Sequence, residues 1–160
     1  MTENPAPLRE SEPDTRTQYG ALCWRMHRGK VEVLLVTSRD TGRWIIPKGW
    51  PIEGLDAAST AAREAWEEAG VQGAVLPDGL GVFGYAKMLS PKKSVPCSVQ
   101  VFGLRVTQLK DKFPERKERR RKWFGVEKAA RKVAEPELRA LLLGLPDLFG
   151  EEDAISLAAE

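Results

Sequence analysis

The chain has 160 residues and a mass of 17.8 kDa, which is enough for one domain with a hydrophobic core and too little for two. Hydrophobic residues make up 42% and charged residues 30%, a balance typical of soluble globular proteins that argues against disordered, fibrous and membrane-spanning classes. The net charge of +2 is unevenly distributed, since residues 86–132 carry 15 basic and 4 acidic side chains. Such a basic segment predicts an anionic partner or substrate.

Both ends of the chain differ in composition from the middle. Residues 1–15 contain acids and prolines without an apolar run, so we expect a loose tail rather than a signal or transit peptide. Residues 146–160 predict an acidic tail, which leaves a single domain over 16–145. No run reaches the roughly 18 apolar residues of a membrane span. Cys23 and Cys97 lie in apolar runs and predict buried thiols in a reducing compartment, so we expect a cytoplasmic protein.

The first half of the chain begins with strands. The runs "QYGALCWRM" and "VEVLLVTS" predict a hairpin with Gly29 in its turn, and "GRWIIP" predicts a third strand that ends at Pro47. The following "KGWPIEGLD" is predicted to be an irregular loop. A helix is then predicted from about Asp56, as N-cap, to Ala69, with Gly70 as its left-handed stop.

The second half alternates in the same way. The runs "VQGAVL", "LGVFGYAKML" and "SVPCSVQVFGLRVTQL" predict strands, and "SPKKS" predicts an exposed turn. The segment "KDKFPERKERRRKW" is too charged to be core, while "VEKAARKV" and "PELRALLLGL" predict helices. This order of elements predicts a mixed β-sheet with helices on its faces.

Three acids on the first helix form an unusual cluster. Glu64, Glu67 and Glu68 are spaced three and four apart, so their carboxylates project from one side of the helix. Each like-charge pair costs about 0.2 to 0.5 kcal/mol, and the helix dipole disfavours anions in the last turn. A divalent cation is the simplest compensating partner, because hard cations take several carboxylate oxygens. A plain solvated acidic face is the alternative.

The stretch "REAWEEAGV" resembles the second half of the Nudix box, R-E-U-x-E-E-x-G-U with U aliphatic, and Gly49 precedes Arg63 by the fourteen residues that separate the family's opening glycine from its arginine. The resemblance implies an α/β fold of the Nudix type, an α/β/α sandwich with a mixed sheet. It also implies hydrolysis of a diphosphate linked to a second group, with Mg2+ or Mn2+ as cofactor.

The resemblance assigns roles to the residues of the box. Glu64 and Glu68 match metal-binding acids, and Glu67 matches a residue that either adds to the metal ligands or deprotonates the attacking water. Arg63 is expected to hold a box carboxylate by a charge-assisted hydrogen bond. Leu55 departs from the pattern, because the box has a glutamate there. Either neighbour, Glu53 or Asp56, is a possible substitute, and the candidates for an acidic ligand outside the box are Asp111, Glu115 and Glu118.

Longer stretches resemble one branch of the family, the diphosphoinositol polyphosphate phosphohydrolases, which also act on dinucleoside polyphosphates. The matching segments are "LLVTSRDTGRWIIPKGWPIEG" and "RKWFGVEKAARKV", and the "PKGWPIEG" loop looks bacterial. The expected partner is therefore an anionic polyphosphate. The residues expected to bind its phosphates are Ser38, Arg39, Arg43, Lys48, Gly49, Lys92 and Lys93.

Two alternatives stay open at this stage. The same chemistry is possible on ADP-ribose or another nucleoside diphosphate derivative. Leu55 favours the other alternative, a binding module for polyphosphate or RNA with little turnover. The charged run at 116–122 has only two neighbouring aromatic residues, so nucleic acid is the less favoured ligand. A monomer and a homodimer are equally compatible with the sequence.

Overall fold

The computed structural model describes residues 14–150, so the outer parts of both predicted tails, 1–13 and 151–160, lie outside the described residues. Within the described residues, seven strands form one sheet, and three α-helices and a π-helical turn pack with it. No helix within residues 14–150 is long and apolar enough to cross a membrane. The strands are β1 Arg16–His27, β2 Lys30–Thr37, β3 Trp44–Ile45, β4 Lys48–Gly49, β5 Val71–Ser90, β6 Lys93–Leu109 and β7 Arg121–Gly125. The helices are α1 Ala57–Ala69, α2 Val126–Lys132 and α3 Pro136–Leu143, followed by the π-helical turn Pro146–Gly150.

The sheet is mixed, as predicted. Its strands follow the order β3-β2-β1-β6-β5, with β4 paired to β1 and β7 paired to β2. The long central pairing between β1 and β6 is parallel, and the other pairings are antiparallel. The predicted first hairpin is confirmed, since Arg28 and Gly29 form its turn with φ of 53° and 80°.

Strand β1 separates two hydrophobic clusters, because successive side chains of a strand point to opposite faces. Ala21 and Cys23 pack with the alanines of α1, whereas Leu22 and Trp24 pack with residues of α2 and α3. Helix α1 therefore covers one face of the sheet, and α2 and α3 cover the other. This arrangement confirms the predicted α/β/α sandwich.

Helix α1 has the predicted ends. The Asp56 carboxylate accepts a hydrogen bond of 2.8 Å from the Ser59 backbone N–H, and Gly70 closes the helix with φ of 69°. The buried alanines between these caps let the helix lie close to the sheet. Both caps fix which turn of the helix meets the sheet, and hence where Glu64 and Glu68 lie.

Three regions differ from the sequence prediction. Lys48–Gly49 is a short strand rather than irregular loop, because its backbone pairs with Tyr19 and Gly20 of β1. The two strands predicted between residues 71 and 89 are one long strand, which bulges around residues 72–81 instead of breaking. The third region is β7, which was not predicted because Arg121 and Lys122 begin it.

The π-helical turn after α3 packs on the core. Phe149, in this turn, is buried and stacks on Trp24 with ring centroids 4.3 Å apart. The apolar surface of Trp24 and the short connection from α3 hold the turn there. The start of the predicted C-terminal tail at residue 146 stays a prediction.

Strands β1 and β2 diverge at one end, and the segment Trp44–Gly49 fills the fork between them. Ile45 pairs with Val36 of β2, and the Pro47 carbonyl accepts a hydrogen bond of 2.9 Å from the Ala21 backbone N–H of β1. Gly49 then pairs with Tyr19. The fork thus fixes the backbone of Lys48 and Gly49 beside the C-terminal half of α1.

Candidate active site

A cleft of about 610 Å³ opens where the fork, the end of α1 and the β5–β6 hairpin meet. Glu64 and Glu68 of α1 line it from one side, with Glu115 and Arg119 from the segment before β7. The other walls come from the loop after β2, the loop after β4 and strand β5. With Gln18 of β1, the cleft collects side chains from six separate parts of the chain.

Glu68 is the most buried acid of the cleft, with a side chain only 7% exposed. Its carboxylate accepts a hydrogen bond of 3.3 Å from the Lys48 backbone N–H, and its Oε2 lies 3.6 Å from Nη2 of Arg119. Burial raises the pKa of Glu68 to about 8, against the attraction of Arg119 and Lys48. Two cationic residues thus only partly offset the desolvation of this carboxylate.

Glu64 lies one turn earlier on α1 and packs against Gly49. A Cβ atom at position 49 would overlap the Glu64 carboxylate, so only glycine allows this approach. Burial raises the pKa of Glu64, and the hydrogen bond between the Glu64 and Glu68 carboxyls opposes that rise while it raises the pKa of Glu68. The two carboxyls therefore lie close together, with Glu68 buried and Glu64 half-buried.

A buried carboxyl and a half-buried carboxyl this close together favour a proton or a cation between them. Oxygen ligands of this kind are the ones that Mg2+ and Mn2+ prefer, so the donor chemistry of Glu64 and Glu68 fits a hard divalent cation. Within residues 14–150, no group of three or more acidic, histidine or cysteine side chains is arranged to hold a metal ion. The pair would therefore need further ligands, such as water or substrate oxygens.

Arg119 organises the acidic end of the cleft. Its Nε donates a hydrogen bond of 2.8 Å to the Glu115 carboxylate, and its Nη1 donates one of 3.0 Å to the Thr37 carbonyl. The Arg119 side chain is 8% exposed, and the Thr37 hydroxyl in turn accepts from the Arg120 backbone N–H at 2.8 Å. One guanidinium thus links Glu68, Glu115 and the end of β2.

The loop after β2 supplies the predicted phosphate-binding residues. Ser38 closes it, since its backbone N–H donates to the Arg43 carbonyl at 2.8 Å and its hydroxyl accepts from the Arg43 N–H at 3.2 Å. Arg39 pairs with Glu118 at 3.2 Å, and Arg43 pairs with the buried Glu135 carboxylate at 3.2 Å. The structure therefore brings Ser38, Arg39 and Arg43 to the cleft as predicted.

Lys48 lies deeper in the same wall. Its ammonium group is 4.7 Å from the ring centroid of Tyr85, whose hydroxyl is hydrogen-bonded to Gln18 at 2.6 Å. Burial lowers the pKa of Lys48 to about 8, although the Glu68 and Glu135 carboxylates favour its charged form. Lys48 lines the cleft, but its side chain is less accessible than that of a surface lysine.

Four predicted site residues do not reach the cleft. Lys92 and Lys93 lie at the exposed tip of the β5–β6 hairpin, and the lysine of that hairpin that lines the cleft is Lys87. Glu67 does not line the cleft either, but its backbone carbonyl accepts a hydrogen bond of 3.0 Å from the Glu115 N–H. The expected bond from Arg63 to a box carboxylate is also not made.

Arg63 is exposed, and no described carboxylate lies within ion-pair distance of its side chain. The exposure of Arg63 follows from the geometry of α1, because the residue next to Glu64 is turned by about 100° from the face that meets the sheet. Arg119, rather than Arg63, forms an ion pair with a carboxylate of the box, that of Glu68. Of the three candidate acids outside the box, only Glu115 lines the cleft, while Glu118 pairs with Arg39 and Asp111 pairs with Arg121.

Sequence reasoning missed Arg119, Lys87, Tyr85 and Gln18 as site residues. The Glu115 and Arg119 pair has the four-residue spacing of a side-chain ion pair, so a signal existed within the charged segment. No local signal marks Tyr85 or Gln18, because other polar residues stand near each of them in its strand, such as Lys87 in β5 and Thr17 in β1. Their proximity depends on the parallel and antiparallel pairings of β6.

Comparison with known proteins agrees with the fold and the box. Residues 16–144 match the model of the NUDIX domain. Nudix hydrolase 12, mitochondrial, from Arabidopsis thaliana is 36% identical over 103 residues, which cover 62% of this chain and 51% of that protein. The chain thus spans about half the length of this relative.

A second relative matches over a longer stretch. Human diphosphoinositol polyphosphate phosphohydrolase 3-alpha is 33% identical over 132 residues, which cover 81% of this chain and 76% of that protein. Among solved structures, an Ap4A hydrolase from C. elegans superposes with a TM-score of 0.62 at 24% identity, over 84% of this chain and 98% of that one. At that identity the likeness concerns the fold. With a domain match over residues 16–144 and a relative at 33% identity, the chain belongs to the Nudix family.

Proposed function

We propose that the protein is a Mg2+-dependent pyrophosphohydrolase that cleaves a phosphoanhydride bond in a highly phosphorylated small molecule. Diphosphoinositol polyphosphates and dinucleoside polyphosphates are the proposed substrates, and Mn2+ is a possible substitute for Mg2+. The observation that carries the proposal is one cleft with a buried carboxyl and a half-buried carboxyl side by side at one end and four basic side chains along its other walls. Those carboxyls are Glu64 and Glu68, and the basic residues are Arg39, Arg43, Lys48 and Lys87.

The basic walls suit a chain of phosphates. Arg39 and Glu118 are both substantially exposed, so this ion pair contributes little and Arg39 can exchange its partner for a phosphate. Arginine binds phosphate oxygens with two parallel N–H groups, whereas lysine acts as a compact point charge. Arg43 and Lys48 lie between Glu135 and Glu68, which keeps both cations oriented along the cleft.

Glu64 and Glu68 are the residues proposed to hold the cation. When bound, a divalent cation neutralises charge on the phosphates and lowers the pKa of an attacking water. A carboxylate that remains free then accepts the proton of that water. Glu67 is proposed to accept this proton or, alternatively, to bind the cation. Glu115 is a second candidate for the proton acceptor because it lines the cleft.

A binding module with little turnover is the second candidate. Leu55 and the presence of only two contacting carboxyls favour it, since a weakened cation site would retain phosphate binding and lose rate. Hydrolysis of ADP-ribose or a similar nucleoside diphosphate derivative is a third possibility, supported by an exposed tryptophan in the cleft, Trp50.

The first experiment measures product release from a panel of substrates with Mg2+, with Mn2+ and with EDTA. The panel contains diphosphoinositol pentakisphosphate, diadenosine penta- and hexaphosphate, and ADP-ribose. We expect turnover that depends on the cation and is lost in Glu68→Gln, while Glu127→Gln, on the exposed side of α2, behaves as the wild type.

Calorimetric titration of Mg2+ and Mn2+ separates the enzyme from the binding module. A failure to bind either ion at millimolar concentration would argue against a hydrolase. Cation binding without turnover of any panel member would favour the binding module instead.

A further inference from the structure

One aromatic side chain in the cleft is poorly suited to a ligand made only of phosphates. Trp50 directly follows Gly49 and begins the box loop, the segment 50–56 between β4 and α1. Its side chain lines the cleft and is 37% exposed. Met88 of β5 also lines the cleft and is 52% exposed. These two exposed side chains give a largely polar cleft an apolar lip.

The loop holds Trp50 in a fixed position. The preceding Lys48–Gly49 is paired with β1, and Pro51 follows directly. Proline has a fixed φ and restricts the residue before it to extended backbone. The indole therefore has little backbone freedom to lose when a ligand binds.

Lys87 completes the lip, because its ammonium group lies 6.0 Å from the centroid of the Trp50 ring. The ammonium is thus close to one aromatic surface and also lines the phosphate-binding cleft. A planar aromatic group on Trp50 with its phosphate near Lys87 would satisfy both features. The Met88 thioether is polarisable and adapts its shape to such a group.

We propose that Trp50, with Lys87 and Met88, is a stacking site for the nucleobase of the substrate, and that it selects nucleobase-bearing polyphosphates over inositol polyphosphates. This inference rests on the proposed function, since the cleft must accept a polyphosphate. A nucleobase has a flat face for stacking on an indole. An inositol polyphosphate bears oxygen on every ring carbon and would leave Trp50 and Met88 uncovered.

The box loop also sets the direction in which the ligand lies. Trp50 is one residue from Gly49, which packs against the Glu64 carboxylate. A base on Trp50 therefore leads its phosphate chain toward Glu64 and Glu68, with the remaining phosphates directed to Arg39 and Arg43. The stacking site then binds the base, and Glu64 and Glu68 face the phosphoanhydride bond.

The test compares wild type, Trp50→Phe and Trp50→Leu on diadenosine pentaphosphate, ADP-ribose and diphosphoinositol pentakisphosphate. Trp50→Leu keeps apolar bulk without an aromatic face. We expect it to raise KM for the adenine substrates about 5- to 150-fold, which corresponds to about 1 to 3 kcal/mol for one stacked base. Trp50→Phe should recover most of that loss. An equal rise of KM for the inositol substrate would overturn the proposal, since Trp50 would then be only a wall.

A binding measurement separates this inference from the proposed function. Quenching of tryptophan fluorescence by ADP, with ribose 5-phosphate as the ligand without a base, needs neither turnover nor metal. Quenching by ADP that disappears in Trp50→Phe would support the stacking site even if no substrate is hydrolysed. Equal affinity for the two ligands would refute the site, even if the hydrolase activity is found.

Discussion

Arg119 and Glu68 lie against each other beneath the cleft, with Nη2 and Oε2 3.6 Å apart and both side chains less than 10% exposed. The same guanidinium binds Glu115 and the Thr37 carbonyl at shorter distances. Arg119 is therefore held mainly by the scaffold, and its contact with Glu68 is the weakest of the three. A cation bound to Glu64 and Glu68 would compete only with the contact between Arg119 and Glu68.

Replacement of Arg119 should destabilise the fold more than replacement of a neighbouring arginine. Arg119→Met leaves Glu68 and Glu115 without their shared partner, and removing one member of a buried ion pair costs about 3 to 5 kcal/mol. Arg116→Met is the matched control, because Arg116 is exposed and should change the unfolding free energy by about 0.5 kcal/mol or less. Urea denaturation measures both, and equal losses would contradict the role of Arg119.

The contact between Gly49 and Glu64 predicts a specific loss of cation binding. Gly49→Ala places a Cβ atom where the Glu64 carboxylate lies, so the carboxylate must move away from Glu68. We expect Mg2+ affinity to fall about 10- to 100-fold, the range seen when support of a metal ligand is lost. Gly125→Ala is the control, since a Cβ there meets no atom within 4 Å. Calorimetry that finds the same Mg2+ affinity in both variants would rule out the predicted displacement.

Glu68 predicts how stability depends on pH in the absence of metal. Its pKa is raised to about 8 from the ordinary 4.5, so between these values the folded protein keeps a proton that the unfolded chain has lost. The unfolding free energy should therefore fall as pH rises from 5 to 8, and the raised pKa of Glu64 acts in the same direction. Lys48, with its lowered pKa, contributes only above about pH 8 and with the opposite sign.

The measurement is urea denaturation in EDTA at several pH values between 5 and 8. Glu68→Gln should flatten the fall relative to the wild type, because it removes the titrating group. Addition of Mg2+ at pH 8 should restore stability to the wild type, since a cation favours the ionised carboxyls. A parallel pH dependence in wild type and Glu68→Gln would show that another group is responsible.

The π-helical turn gives a test of the domain boundary. Phe149→Ala removes a buried ring that stacks on Trp24, and such truncations cost about 3 to 5 kcal/mol. Leu148→Ala is the neighbouring control, because Leu148 is 51% exposed. Thermal and urea unfolding should separate the two variants clearly. Similar small losses from both would contradict the packing of this turn on the core and support the predicted boundary at residue 145.

Local signals predicted the parts of the fold that depend on neighbouring residues. Asp56 and Gly70 identified both ends of α1, and the turn at Gly29 identified the first hairpin, since capping and turn geometry act within a few residues. Glu64 and Glu68 were also found in this way, because their spacing along a helix places them on one face. Helix α1, predicted in this way, supplies Glu64 and Glu68 to the cleft.

The rest of the site depends on contacts between distant segments. Strand β7 was missed because its first residues are charged, and it forms because β2 offers an open edge on which Phe124 becomes buried. Arg119 is brought to Glu68 across 51 residues of chain by that pairing. Lys92 and Lys93 were assigned from a resemblance in sequence, whereas the length and bulges of β5 carry them beyond the cleft and bring Lys87 to it.

The fork between β1 and β2 has a consequence for how this protein can change without losing its chemistry. Strand β4, Lys48–Gly49, is hydrogen-bonded to β1, and β1 is paired with β6 along most of its length. The amides of Lys48 and Gly49 should therefore exchange with solvent as slowly as those of the central sheet. The tip of the β5–β6 hairpin has no such support and should exchange rapidly. Substitutions of Lys87 and Met88, on the strand that leads to that tip, can therefore change the surroundings of Trp50 while Trp50 and the acidic pair stay in place.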